Sequence, residues 1–173
     1  MRVPRRSTAD NQTIPGASHR RPEPTPAQRA LALLVRREHS RQELTRKLAA
    51  RGVEATEAAA AVERMAREGW QDDSRFALAL ARSRAINGYG PLRIRAELAM
   101  HGIPEDAIAR AFQALAESGE DDWQARAAGL VERRFGGFPG GLAARRRVAD
   151  LLARRGFDAD TVRHCARLAG DGG

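Results

Sequence analysis

Two adjacent carboxylates, Asp72 and Asp73, come closest to a catalytic arrangement in this chain of 173 residues. Paired carboxyls can divide general acid and base work, or hold a divalent cation. Here they directly precede the apolar-periodic run that carries Phe76, and helix capping explains both without further assumption. Metal chemistry finds no better footing. His19, His39, His101 and His164 lie far apart and show no ligand spacing with one another or with Cys165. Cys165, the only cysteine, falls nine residues after Gly156, as Ala111 does after Gly102 and Ala61 after Gly52. That register makes it a small core residue rather than a reactive thiol. "GGFPGG" at 136–141 is rich in glycine but lacks the Lys-Ser/Thr of a phosphate-cradling loop, and reads as a helix connection. The expectation is a protein that is not an enzyme, with no cofactor and no metal.

What remains is charge. Thirty basic residues against 22 acidic ones give +8, and Lys47 is the only lysine. Guanidinium groups present a planar fork suited to phosphate and carboxylate, and the net charge favours polyanions and acidic protein surfaces. Residues 126–167 hold ten arginines against four acids, a net of +6. Asp150 stands four residues from both Arg146 and Arg154 and three from Arg147, the spacing of intrahelical ion pairs; Arg93 likewise has Glu97 at i+4. Arg95, Arg145 and Arg155 have no acid four residues away in either direction, so they are expected to be free to reach outward.

The elements that position these groups are helical. From Thr25 onward apolar residues recur at three and four, as in Leu31, Leu34 and Val35, or Ile108, Phe112 and Leu115. No segment alternates in the period of a half-buried strand. Ser40 with Glu43 reads as a capping box, Pro91 and Pro104 suit first turns, and Asp158 and Asp160 can cap the last helix. One sentence is written three times: "LTRKLAARGV" at 44–53, "IRAELAMHGI" at 94–103 and "VADLLARRGF" at 148–157. In each, two apolar residues stack at i and i+4. A glycine (Gly52, Gly102 or Gly156) then leaves the helix in the left-handed conformation, and an apolar residue folds back. Valine at any of these glycines is expected to cost about 1–2 kcal/mol, alike in all three.

The fold class expected is all-α: a tandem array of three three-helix repeats, elongated and curved, because a unit of about 45 residues buries too little alone. The divisions are 1–24, a disordered basic tail; 25–69, 70–118 and 119–169, the repeats; and 170–173, a short tail. No run approaches the roughly 20 apolar residues that cross a bilayer. The lone cysteine permits no intramolecular disulfide. A soluble cytoplasmic protein, with no membrane partner, is expected.

The middle unit, "WQDDSRFALALARSRAINGYGPLRIRAELAMHGI" at 70–103, resembles the RecX family of bacterial regulatory proteins. The match rests on a D-x-R-F-A stretch, here Asp73-Ser74-Arg75-Phe76-Ala77. It rests also on a glycine-led helix ending in E-L-x-x-x-G-I, here Glu97-Leu98 to Gly102-Ile103, and on the tandem repeat itself. The resemblance spans about residues 25–169 and is weaker in the third unit. It implies a monomer that binds the RecA filament in DNA repair and the SOS response, and restrains its recombinase, ATPase and co-protease activities, with weaker binding to single- and double-stranded DNA. The expected contact surface comprises Arg75, Arg84, Tyr89, Arg93, Arg95, Arg145, Arg146, Arg147 and Arg155. The alternative is a stand-alone DNA-binding protein whose helix pairs act as helix-turn-helix units. Against it, the glycine turn recurs in all three units, whereas a specific reader needs one distinct recognition helix.

Overall fold

The computed structural model describes residues 23–171, and these form nine α-helices with no strand among them. The first repeat contains α1 (Pro26–Leu34), α2 (Arg41–Ala49) and α3 (Ala55–Arg67). The second contains α4 (Asp73–Ile86), α5 (Pro91–Met100) and α6 (Glu105–Glu117). The third contains α7 (Trp123–Phe135), α8 (Leu142–Arg155) and α9 (Ala159–Asp171). All but the last two residues of the expected N-terminal tail lie outside the described residues. At the other end α9 continues through Asp171, two residues past the expected limit of the third repeat.

The helix starts follow the capping chemistry with four differences, the fourth being Asp73, which does not cap α4. Thr25 and Gln28 form the reciprocal capping box of α1. Ser40 accepts from the Glu43 amide at 3.1 Å, but Glu43 does not return the bond, because its carboxylate is taken by Arg37 at 2.5 and 3.1 Å. Pro104 is the N-cap of α6 rather than part of its first turn, whereas Pro91 opens α5 as expected. Asp158 caps α9 by accepting from the Thr161 amide at 2.8 Å, while Asp160 pairs with Arg163 in the first turn.

The thrice-written sentence produces one local structure three times. Gly52, Gly102 and Gly156 have φ of +78°, +74° and +82°. After each, the amide of the next residue reaches back to a carbonyl five residues earlier, at 3.2 Å from Val53 and Ile103 and 3.1 Å from Phe157. This six-to-one bond turns the chain so that Val53, Ile103 and Phe157 are buried. They join Leu44 and Leu48, Ile94 and Leu98, and Val148 and Leu152, all 0 % exposed, in the three repeat cores. Alanines such as Ala58, Ala77 and Ala81, also fully buried, let the helices approach closely. Cys165 is one of these small core residues, and burial pushes its thiol up. Val35, counted as apolar periodicity, instead terminates α1 and is 74 % exposed.

The junctions between repeats differ in kind. Repeats one and two are joined through side chains. Asp72 caps its own helix, accepting from Ser74 and Arg75 amides. Asp73 turns the other way: its Oδ1 accepts from the Arg41 amide at 3.0 Å, in the first turn of α2, and from Gln71 at 2.9 Å. A carboxylate of the second repeat thus satisfies an orphan amide of the first and faces the positive end of α2. Arg75 completes the joint, bonding Glu38 at 2.9 Å and the carbonyls of Gly69 and Trp70. Asp73→Ala is therefore expected to cost about 1–2 kcal/mol, since it strips Arg41 of its acceptor and the buried Gln71 of one of its two. Asp72→Ala removes an ordinary cap and costs about 1 kcal/mol. Urea unfolding of both variants checks this, and a neutral Asp73→Ala would return Asp73 to the role of bystander.

Repeats two and three meet backbone to backbone. The Gly90 amide donates to the Arg155 carbonyl at 2.8 Å, and the Leu92 amide to the Gly156 carbonyl at 3.0 Å. The unsatisfied donors at the start of α5 thereby meet the unsatisfied acceptors at the end of α8. The approach is close enough that a Cβ on Gly90 would stand 2.3 Å from the Gly156 oxygen, and one on Gly156 would stand 2.4 Å from the Cβ of Arg93. Trp123 packs against both cores, with its ring 6.0 Å from that of Phe112.

Candidate partner-binding cleft and arginine surface

A cleft of about 780 Å³ opens between the first and second repeats, lined by Arg46, Arg84, Asn87, Tyr89, Arg93, Ala96, Glu97, Met100 and His101. Its lining includes an ion pair. Arg84, in the last turn of α4, donates two bonds to Glu97 of α5, at 2.8 and 2.6 Å. Those bonds hold the Glu97 carboxyl below its usual range and raise the Arg84 guanidinium. Tyr89 carries a cation–π stack: the guanidinium carbons of Arg93 and Arg155 lie 5.2 and 4.9 Å from its ring centre.

This geometry brings Arg84, Tyr89, Arg93 and Arg155 together, three of them lining the cleft and Arg155 stacked on the ring from outside the lining. It separates the others. Arg75 is engaged in the joint between repeats one and two. Arg95 was expected to be free and is not: it bonds Glu105 at 3.2 Å, and its guanidinium carbon lies 4.2 Å from the Phe112 ring centre. Arg145 donates to the Ala166 carbonyl at 3.2 Å, and Arg155 to the Asn87 carbonyl at 3.2 Å. Absence of an acid on the same helix said nothing about carbonyls and rings on neighbouring ones. The converse expectation fails as well. No ion pair joins Asp150 to Arg146, Arg147 or Arg154 among the described residues, and all four are exposed. An exposed pair of flexible side chains gains too little to fix one geometry. Glu97, likewise, goes to Arg84 rather than to Arg93 at i−4, because Arg84 offers two parallel bonds from the facing helix.

Two features escaped the sequence. Arg46 reaches the cleft from α2, and only tertiary structure reveals it. The second is a buried polar cluster beside the joint of repeats one and two. His39 is 2 % exposed and Glu43 is 5 % exposed. The His39 ring lies 2.9 Å by Nδ1 from the Arg37 carbonyl, which fixes that nitrogen as the donor, and 3.8 Å by Nε2 from Glu43, which Lys47 also approaches. The signal was present as His39, Glu43 and Lys47 at successive steps of four.

Burial lowers the His39 imidazole, opposed by its carbonyl bond and by Glu43, whose charge Arg37 and Lys47 already answer. Burial also pushes Glu43 up, but the bonds from Arg37, with His39 and Lys47, outweigh it and leave the carboxyl below its usual range. A histidine lowered by folding binds its proton less readily in the native state than in the unfolded chain. Stability is therefore lost as pH falls below about 6.5, the ordinary imidazole value, toward the lowered one. Glu43 contributes stability that is lost only further into acid. Urea midpoints are expected to fall between pH 7.5 and 5.5, and His39→Gln should flatten that slope; an unchanged slope refutes the assignment.

Comparison with known proteins follows the same three-part division. The model of the first three-helix domain of RecX matches residues 28–65, that of the second 72–111 and that of the third 120–165. Regulatory protein RecX of Stenotrophomonas maltophilia strain R551-3 is 56 % identical over 165 residues, covering 94 % of this chain and 99 % of its own. Regulatory protein RecX of Xanthomonas campestris pv. campestris strain B100 is 56 % identical over 161 residues, covering 92 % of this chain and 97 % of its own. The crystal structure of RecX from Lactobacillus salivarius superposes with a TM-score of 0.63 at 16 % identity, covering 82 % of this chain and 92 % of that one, which supports the fold. With three domain models in tandem order and more than half of the positions shared with such relatives over nearly the whole length, the chain belongs to the RecX family.

Proposed function

We propose that this chain regulates the RecA recombinase of a bacterial cytoplasm by binding the RecA–DNA filament and restraining its ATPase, strand exchange and co-protease activity in DNA repair and the SOS response, without catalysing a step of its own. The observation that carries this reading is family membership over all three repeats, not over one shared module. The arginine distribution supports it. A recess holding both cations and apolar groups suits a protein surface, and the exposed Arg146, Arg147 and Arg154 of α8 suit phosphate. The divisions at 25–69, 70–118 and 119–169 are proposed as the units that act on the filament.

Binding to labelled single-stranded DNA, with and without RecA and ATP, tests the proposal. The expected result is much tighter binding to the filament than to bare DNA, with inhibition of the DNA-dependent ATPase in the same range of concentration. Equal affinity for bare and RecA-coated DNA would support the stand-alone DNA-binding reading instead.

A further inference from the structure

We propose that the cleft between the first and second repeats receives an acidic polypeptide segment that carries an apolar side chain. This rests on the regulatory reading above and names the surface that would hold a protein partner. Three guanidinium groups reach the cleft from three helices: Arg46 from α2, Arg84 from α4 and Arg93 from α5. Glu97 is the single carboxylate of the lining, and both of its oxygens are occupied by Arg84. Arg46 and Arg93 form no ion pair among the described residues, and each offers a planar fork to an incoming carboxylate.

The apolar half of the recognition comes from Met100, 80 % exposed, beside Ala96 and Tyr89. An unbranched thioether repacks around apolar groups of varied shape, which is how exposed methionines serve at binding surfaces. Nucleic acid fits less well. Single strands are held by bases stacked on open aromatic faces. Tyr89, the only aromatic residue lining the cleft apart from His101, already packs against Arg93 and Arg155. His101 stands edge-on to Phe76 at 5.0 Å. A duplex is convex and presents phosphate rows, for which exposed arginines along a helix are the better match.

The test is fluorescence anisotropy on the full-length chain at physiological ionic strength, with two labelled probes. One is a short peptide of Asp and Glu with a central Phe; the other is an oligothymidine. Arg46→Ala/Arg93→Ala is expected to weaken the peptide by about tenfold, as loss of two charge-assisted contacts implies. Met100→Ser, at a side chain too exposed to matter for folding, should weaken it by about threefold. Neither variant should change oligothymidine affinity by more than about twofold. Peptide binding that survives both variants overturns the proposal. So does oligothymidine affinity that falls in step with the peptide, which would make the cleft a nucleic-acid site. A peptide lacking Phe that binds as tightly overturns the apolar half. A chain that restrains the filament but ignores the peptide loses this inference alone; one that binds the peptide but ignores the filament loses the proposed function alone.

Discussion

Gly156→Ala and Gly90→Ala are each expected to destabilise the chain by about 2–5 kcal/mol, about twice the effect of Gly52→Ala or more. At Gly52 an added Cβ meets nothing within 4 Å, so the cost is the left-handed conformation, about 1–2 kcal/mol. Gly156 incurs that and more. Its Cβ would stand 2.4 Å from the Arg93 Cβ and 2.6 Å from the Arg93 nitrogen, neither of which is a flexible side-chain end. Overpacking of this kind costs about 1–3 kcal/mol. Gly90 has φ of −85°, which any residue adopts, so only the 2.3 Å approach to the Gly156 oxygen forbids a side chain there. Relief requires the two backbones to part, with loss of the Gly90–Arg155 and Leu92–Gly156 hydrogen bonds. Urea unfolding measures the losses. The three turns were expected to tolerate substitution alike; the structure separates Gly156 from the others through its neighbour. Equal losses at Gly52 and Gly156 would show that the second and third repeats can separate without cost.

Arg146→Ala/Arg147→Ala/Arg154→Ala is expected to raise the concentration needed to inhibit RecA's ATPase by about tenfold or more, and to flatten its salt dependence. These side chains are exposed, carry no ion pair among the described residues, and have no internal bond to surrender. If phosphate is their partner, each contact removed lowers the salt slope by about 0.7–0.9. The companion variant, Arg95→Ala/Arg145→Ala/Arg155→Ala, is expected to act first on stability. It removes the contacts to Glu105 and Phe112, to the Ala166 carbonyl, and to Asn87 and Tyr89. Inhibition compared at matched folded fraction decides the matter. A larger loss in the second set would mean that these arginines abandon their internal partners on the filament.

The ranking of arginines reverses what spacing along the chain suggests, and the reason is general. Spacing at i and i+4 identifies which groups can meet on one helix, not which partner wins. Glu97 had Arg93 at the right spacing and chose Arg84; Asp150 had three arginines and holds none in an ion pair among the described residues. Much of the local structure was legible: the all-α class, the three glycine turns, the caps at Asp72 and Asp158, and the buried register of Cys165. The junctions were not legible, because they join residues that only folding brings together. The D-x-R-F-A stretch shows both sides of this. Its residues carried the family resemblance, yet Asp73 and Arg75 bond the neighbouring repeat and Phe76 is buried, so the stretch builds a joint rather than an open contact surface.

The paired amides of Gly90 and Leu92 provide a clock. Amides in a connection and at the second position of a helix have no intrahelical acceptor and ordinarily trade their hydrogens with solvent quickly. Here both are sealed by carbonyls of the following repeat. Their deuterium uptake therefore tracks how often the second and third repeats part, independently of fraying within either. Among the described residues no backbone pair of this kind crosses from the first repeat to the second, whose joint is made by the Asp73, Gln71 and Arg75 side chains. Salt would loosen that joint while the Gly90 and Leu92 amides stay slow, so these two amides report which half of the array has moved.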